Sequence, residues 1–248
     1  MSDPVLIARD NILTPVGIDN RDIDRLLGQL KSPAVDAADV YFQATRLQSW
    51  VLEDGIIKDG SFSIEQGAGI RAVSGEKTGF AYSDELQLPS LLEAAQAARA
   101  IARSGGEAQV QVSRRQAARR LYEPINPLES LSDREKVALL HRVDAEARRQ
   151  DPRVKQVFAS LVAVQDLVLV ASDDGGLSGD VRPLIRLSVT VIAEAGERRE
   201  QGSSGGGARA DLGYFLAEDR ALEYARDAAH QALVNLEAVD APAGTMTV

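Results

Sequence analysis

Cysteine is absent from this 248-residue chain, histidine occurs only twice, and aromatic residues make up 4% of the sequence. The lack of cysteine excludes disulfide bonds, a cysteine nucleophile and a cysteine-ligated zinc site within these residues. The two histidines, His141 and His230, are too few for a three-histidine metal site. Since neither His-x-x-x-His nor His-Glu-x-x-His occurs, we expect both to be structural or surface residues.

A positive charge excess and long hydrophobic runs are also lacking. The chain has 28 Lys and Arg against 37 Asp and Glu, a formal net charge of −9. Such a field repels phosphate, so we expect no binding to nucleic acid or to an anionic membrane surface. No stretch approaches the roughly 20 apolar residues of a membrane helix, and no apolar segment follows a basic start. These absences predict a soluble cytoplasmic protein.

Helical and strand-like periodicities alternate along the chain. Apolar residues at helical spacing predict helices over residues 20–31, 90–105, 132–150 and 217–236. Ser90 with Glu93, and Ser132 with Glu135, have the spacing of a capping box. Period-two alternation predicts strands over residues 40–45, 49–53, 62–73, 78–82, 154–164, 167–172, 184–194 and 198–201. Turns are expected at residues 54–55, 59–60, 74–75, 173–176 and 196.

These patterns predict an α+β fold of two similar helix–antiparallel sheet–helix units, each with about four strands. The repeated order is compatible with an internal duplication, and convergent patterning is the alternative. Residues 1–106 would form the first unit, and residues 131–240 the second. Residues 107–130 would connect them, with one short strand near 110–112, and residues 241–248 would form a tail.

Several segments resemble binding motifs in composition but lack the residues or the spacing that those motifs require. The run Gly-Ser-Ser-Gly-Gly-Gly at 202–207 lacks the lysine of a phosphate-binding loop, so a flexible loop is expected. The aspartates at 173, 174 and 180 lack the spacing of an EF-hand and predict a turn. The four arginines at 114, 115, 119 and 120 have no interleaved aromatics, which favours a solvated face.

The remaining aromatic and acidic residues have ordinary interpretations. Trp50 and Phe80 fit strand faces, and we expect both in the core rather than in a ligand platform. Glu65, Glu76 and Asp84, together with Glu85, are expected to be solvated turn charges. The residues alone therefore indicate an α+β chain without a self-contained catalytic constellation.

Four segments, in this order, resemble the N-terminal region of the TldD/PmbA family, specifically its TldD-type subunit. The first runs from residues 65 to 73 and continues over 79–84. The second, residues 122–128, ends in Asn-Pro-Leu, and the third covers 205–209 with 211 and 213–215. The fourth is the tail, Ala-Pro-Ala-Gly-Thr-Met-Thr-Val. Together they extend over most of the chain.

The resemblance implies a zinc-dependent peptidase acting on peptides or unfolded polypeptides. It also implies pairing with a PmbA (TldE)-type subunit, or a homodimer. The family's His-Glu-x-x-x-His motif comes after a segment similar to this tail, so residues 241–248 are expected to lead into an absent C-terminal catalytic domain. No catalytic residue and no metal ligand can therefore be assigned here, and zinc is implied only for the complete family protein.

The role expected from the resemblance is an N-terminal substrate-access and subunit-assembly region that is inactive alone. A stand-alone, non-catalytic peptide-binding or interaction module is the alternative. Residues of the matching segments are the candidates for a substrate channel or an interface: Gly67, Gly69, Arg71, Tyr82, Asp84, Gly206 and Arg209. The glycines at 67 and 69 are expected to permit a bulge or a close contact, and Arg71 to make an ion pair or an interface contact.

Overall fold

The computed structural model describes residues 3–33, 35–102, 121–239, 243–245 and 247. Within these residues the fold is α+β, as predicted. The helices are α1 (Pro4–Ile12), α2 (Asn20–Leu30), α3 (Leu88–Ala102), α4 (Asp133–Gln150), α5 (Gly213–Leu216) and α6 (Arg220–Glu237). The strands are β1 (Ala37–Glu53), β2 (Ile56–Ser74), β3 (Lys77–Ser83), β4 (Val154–Ser172), β5 (Leu177–Ala195) and β6 (Arg198–Ala208).

The six strands form one sheet in the order β3-β2-β1-β4-β5-β6. The expected number of about four strands in each half is wrong, since among the described residues each half supplies three strands to this sheet. Several predicted strand pairs are single long strands, because polar residues such as Gln165 and Asp166 lie inside β4 and do not interrupt it. β3 and β6 are the edge strands, each paired antiparallel with one neighbour. The internal duplication stays a prediction.

The chain divides into two compact units, each with its own hydrophobic core. Unit 1 comprises Met1–Leu47, Ser63–Asn126 and Val164–Pro183, and unit 2 comprises Gln48–Phe62, Pro127–Ala163 and Leu184–Val248. Unit 1 buries residues such as Leu26, Phe42 and Leu91, whereas unit 2 buries residues such as Leu140, Val189 and Phe215. The domain bounds expected from the sequence stay a prediction.

The helix starts follow capping chemistry. α4 begins after Ser132, whose capping box with Glu135 is confirmed. The capping box predicted for Ser90 is wrong: α3 begins two residues earlier, and the Ser90 hydroxyl donates to the Glu85 carboxylate at 3.0 Å. α1 was not predicted, although Asp3 caps it ahead of a first-turn proline. Among the helices of the described ranges, none is long and apolar enough to cross a membrane.

Two predicted loops are strand instead. The expected turn at residues 59–60 lies inside β2, where a Cβ on Gly60 would come 3.0 Å from the Trp50 ring. The expected flexible loop at 202–207 lies inside β6. There Gly202 packs directly against the backbone of α6, a contact that only a residue without a side chain allows. Glycine thus marks close packing at both places rather than a loop.

The turns at residues 54–55, 74–75 and 196 are confirmed, and each contains a residue with positive φ. Other sequence predictions lie outside the described residues. These are the short strand near 110–112, the arginines at 114, 115, 119 and 120, and residues 241, 242, 246 and 248 of the tail.

Candidate functional site

One face of the unit 1 strands turns away from the core. In β1, Val40, Phe42 and Ala44 are buried, so Tyr41 and Gln43 between them face the other way. The same alternation holds in β2 and β3. We call this surface the open face. Its members include Tyr41, Gln43, Thr45, Glu65, Gly67, Gly69, Arg71, Phe80, Tyr82 and Asp84.

A cleft of about 380 Å³ lies on the open face. It is lined by Tyr41, Gln43, Thr45, the five residues from Glu65 to Gly69, Phe80, Tyr82, Ser83 and Asp84. Phe80 is 56% exposed and Tyr82 is 79% exposed. The expectation that Phe80 lies in the core is therefore wrong. Its neighbour Gly79 faces α3, which places Phe80 on the opposite side of the strand.

Two glycines of β2 allow β3 to lie close beside them. A Cβ on Gly69 would come 3.0 Å from the Phe80 ring, so the ring covers this glycine. A Cβ on Gly67 would come 3.0 Å from the Ser83 carbonyl oxygen. The register with β3 is continuous from Ala68 to Ser74, so no bulge occurs at Gly69, and Gly67 directly precedes this register. Each glycine makes a close contact with β3.

A hydrogen-bonded network flanks the cleft. The Asp166 carboxylate accepts hydrogen bonds from the Gln43 amide at 2.7 Å and from the Thr45 hydroxyl at 2.9 Å. The Arg182 guanidinium lies 3.8 Å from Asp166 and donates to Asp180 at 2.7 Å. Arg182 therefore offsets the negative charge of both aspartates. The hydrogen bonds to Asp166 fix the Gln43 and Thr45 side chains, which line the cleft.

Tyr41 connects this network with the cleft. Its hydroxyl donates to the Gln43 side-chain oxygen at 3.3 Å. Burial raises the pKa of the Tyr41 phenol, and Asp166 raises it further, whereas Arg182 opposes the shift. The phenol is therefore a neutral hydrogen-bonding group at physiological pH.

The carboxylates at the other side of the cleft have no such partners. Glu65 and Asp84 are exposed, and neither side-chain carboxylate makes a hydrogen bond or ion pair with any residue in the described part of the chain. The lining residues include no lysine and no arginine. The cleft therefore combines exposed aromatic rings with two unpaired negative charges.

Four of the seven sequence candidates line this cleft, namely Gly67, Gly69, Tyr82 and Asp84. Arg71 lies on the same face but does not line it. Its guanidinium donates to Asp39 at 2.9 and 2.5 Å, which is the ion pair expected for it.

The other two candidates belong to unit 2. Gly206 lies in β6 beneath Tyr224, whose hydroxyl would collide with a Cβ there, and Arg209 follows the end of β6 as an exposed residue. The structure therefore does not place either residue in the cleft.

Sequence reasoning missed Tyr41, Gln43 and Thr45, and it assigned Glu65 to solvent. The alternation of polar side chains along β1 was the available signal. It identifies one face of one strand, but it does not tell which neighbouring strands share that face. Pairing with β2 supplies this information.

Within the described ranges, no group of three or more His, Asp or Glu side chains is placed to hold a metal ion. His141 on α4 and His230 on α6 are both exposed. No catalytic step is therefore assigned to a metal on these residues.

Comparison with known proteins identifies the family to which this fold belongs. Residues 38–102 match the PmbA/TldA metallopeptidase domain 1, and residues 126–236 match the PmbA/TldA metallopeptidase central domain. A metalloprotease TldD homolog of Haemophilus influenzae is 45% identical over 245 residues, which cover 96% of this chain and 51% of that protein. The chain belongs to the TldD/PmbA family.

A second TldD homolog, from Buchnera aphidicola subsp. Schizaphis graminum, is 38% identical over 248 residues, covering 98% of this chain and 51% of that protein. The chain spans about half the length of the curated relatives it matches. It is a TldD/PmbA-type metallopeptidase region, and the cleft lies in the part that matches domain 1.

Solved structures share the TldD/PmbA fold at low identity. A Thermotoga maritima protein, named as a candidate modulator of DNA gyrase, has a TM-score of 0.73 at 20% identity, covering 90% of this chain and 50% of that one. TldE from Thermococcus kodakarensis has a TM-score of 0.65 at 15% identity, covering 86% and 47%. These likenesses show the fold alone.

Proposed function

We propose that this chain is the N-terminal substrate-access and subunit-assembly region of a TldD-type zinc metallopeptidase that acts on peptides or unfolded polypeptides. The observation that carries the proposal is the open-face cleft, with Phe80 and Tyr82 exposed beside hydrogen-bonding groups. A concave surface with apolar lining and a few fixed polar groups is the usual form of a ligand site. Catalytic chemistry is assigned to no residue of this chain.

The cleft suits an unfolded chain better than a compact ligand. It is shallow, it lies on strands, and its lining includes two glycines of β2. Aromatic rings bind apolar side chains in a sequence-tolerant way, because they offer a large contact area with few rotatable bonds. The polar side chains of β1, Tyr41, Gln43 and Thr45, can form hydrogen bonds with a peptide backbone.

A PmbA (TldE)-type subunit is the partner we propose for assembly. The support is family membership together with the fold shared with TldE. A homodimer is the other form of assembly that the proposal admits. The stand-alone peptide-binding module remains the second candidate function, because every residue that lines the cleft belongs to unit 1.

Binding and cleavage of one labelled, unstructured peptide of about 20 residues test substrate access. Fluorescence anisotropy should show saturable binding to the purified chain, and mass spectrometry should show the peptide intact after incubation with added zinc. Tyr82→Ser should weaken binding. Val234→Ser, which removes an exposed apolar side chain from α6, is the matched control and should leave it unchanged. Absence of binding, or chelator-sensitive cleavage, would contradict the proposal.

Light scattering tests assembly. The chain is measured alone over a range of concentrations and then with a TldE-type subunit. A complex of the two, or a dimer of the chain, is the expected result. A monomer at all concentrations that does not bind the TldE-type subunit contradicts the assembly role and leaves the stand-alone module.

A further inference from the structure

Charge is distributed unevenly around the cleft. On the β1 side, Asp166 is compensated, since Arg182 lies 3.8 Å away and two side chains donate to it. On the β2 and β3 side, Glu65 and Asp84 have no partner within the part of the chain that the structure describes. A group that enters from solvent therefore meets two uncompensated carboxylates.

The same side of the cleft carries its exposed aromatic rings. The register places Tyr82 opposite Gly69, and a Cβ on Gly67 would come 3.6 Å from the Asp84 Cα. The Tyr82 ring in β3 and the Asp84 carboxylate just after the end of β3 therefore both lie beside glycines of β2. The faces of aromatic rings attract cations, and long basic side chains pack their alkyl stems on apolar surface while the charged end stays hydrated.

We propose that the open-face cleft binds a lysine- or arginine-bearing segment of an extended polypeptide, with the cationic end near Glu65 and Asp84 and the stem against Phe80 and Tyr82. This inference rests on the proposed function and specifies its substrate class. Charge complementarity is the deciding argument, since the unpaired charges of the lining are all negative.

Other occupants fit the cleft less well. An acidic segment would place like charges beside Glu65 and Asp84, and a purely apolar segment would desolvate both carboxylates without compensation. A second copy of this chain carries the same net charge of −9, which opposes a contact formed through two acidic clefts. A cationic segment is the occupant that satisfies both the rings and the acids.

Four dye-labelled nine-residue peptides test the inference. They share a Gly-Ser background and carry two central lysines, arginines, glutamines or glutamates. In fluorescence anisotropy at 50 mM salt, the lysine and arginine peptides should bind about fivefold more tightly than the glutamine peptide, as expected for weak charge pairs combined with exposed cation–π contacts. This preference should decrease at 500 mM salt, because salt screens exposed charges.

The double variant Glu65→Gln/Asp84→Asn should remove the preference and leave the glutamine peptide bound as before. Glu76→Gln is the control for nonspecific charge effects, since it neutralises one carboxylate in the β2–β3 turn, outside the cleft. It should retain the preference. A thermal melt of each variant checks that the fold is unchanged.

The outcomes separate the inference from the proposed function. Equal binding of the lysine and glutamine peptides overturns the inference and leaves substrate access standing. Tighter binding of the glutamate peptide, or loss of the preference in Glu76→Gln as well, also overturns it. Failure of every peptide to bind overturns both. Self-association that the double variant abolishes would identify a second copy as the occupant and overturn the inference.

Discussion

The edge strands of the two units meet their helices in the same way but present different outer faces. In unit 1, a Cβ on Gly79 of β3 would collide with the backbone of α3 at Ala98. In unit 2, a Cβ on Gly202 of β6 would collide with the backbone of α6 at Ala228. In each helix the next contact is the alanine four positions further on. Glycine against small residues brings helix and strand backbones together in both units.

The outer faces of β3 and β6, which these helices do not cover, differ in the side chains that they expose. On the face of β6 that α6 does not cover, short polar side chains meet those of β5, and the hydroxyls of Thr190 and Ser203 lie 3.1 Å apart. The edge strand β3 of unit 1 exposes the Phe80 and Tyr82 rings instead, beside the Glu65 and Asp84 carboxylates. The comparison shows that glycine packing against a helix is common to both units, and it is the reason we assign the proposed binding surface to the open face of unit 1.

The largest effect is expected where the two units agree. Gly79→Ala and Gly202→Ala should each lower the free energy of unfolding by about 3 kcal/mol, because the new methyl group meets helix backbone that cannot rotate away. Urea denaturation followed by circular dichroism measures both variants.

Gly28→Ala is the control for this pair of substitutions. Gly28 lies inside α2, and a Cβ there meets no atom within 4 Å. Alanine should therefore stabilise the chain by about 0.5–1 kcal/mol through helix propensity. A loss below 1 kcal/mol in only one of Gly79→Ala and Gly202→Ala would show that the two packings differ in strength.

The next largest effect should be on the pH dependence of the free energy of unfolding, which we expect to differ between an ion pair of unit 2 and one of unit 1. Glu146 of α4 is buried, and a hydrogen bond from Arg149 lowers the pKa of its carboxyl, with Arg226 contributing against the opposing effect of burial. A lowered pKa in the folded state means that this stabilisation is present above the ordinary value near 4.5 and is lost as the pH falls through the folded-state value.

Glu146→Gln should therefore cost about 2 kcal/mol at pH 7, and less as the pH falls below about 4.5. Unfolding in urea at pH 7, 5 and 3.5 measures the difference from the original chain. Asp39→Asn, which breaks the single ion pair with Arg71 in unit 1, is the comparison: the Asp39 side chain is 21% exposed against 10% for Glu146, and the change should cost less than about 0.5 kcal/mol at pH 7. Equal costs at pH 7 would refute the distinction.

Local chemistry made much of the fold predictable. The capping box before α4, the Asp-Pro step after it and the positive-φ turns are all readable in a few consecutive residues. The failures occurred where a contact distant in sequence decides the outcome. Residues 202–207 look like a loop by composition, but packing on α6 keeps them in β6.

The candidate site was predictable only in part, for the same reason. Gly67, Gly69, Tyr82 and Asp84 were named because they lie in segments that resemble the family. Phe80 was assigned to the core because aromatic residues in strands are usually buried. Its exposure depends on the neighbouring glycine facing α3, and an isolated strand pattern does not show which of its two faces a helix covers.

Glycines at the candidate positions should show smaller effects than those beneath the helices. A Cβ on Gly206 would displace Tyr224, whose pKa is raised by burial and which packs against the unit 2 core. Gly206→Ala should therefore lower stability by about 1 kcal/mol. In Gly69→Ala the new methyl group contacts only the exposed Phe80 ring, which can move. The free energy of unfolding of this variant should therefore stay within about 0.5 kcal/mol of that of the original chain. Thermal unfolding compares the two, and a larger loss in Gly69→Ala would refute this ordering.

The smallest effect on stability should accompany a clear effect on binding. Tyr82 is 79% exposed, so Tyr82→Ser removes little buried surface and should change the free energy of unfolding by less than about 0.5 kcal/mol. Ser203→Ala on the outer face of β6 is the matched change in unit 2 and should be equally mild. Only Tyr82→Ser should also weaken binding of an unstructured peptide, because its ring belongs to the cleft. If Tyr82→Ser unfolds the chain, the side chains of the open face serve packing, as those of unit 2 do, and not binding. If Ser203→Ala weakens peptide binding as strongly as Tyr82→Ser, peptide binding is not specific to the open face of unit 1.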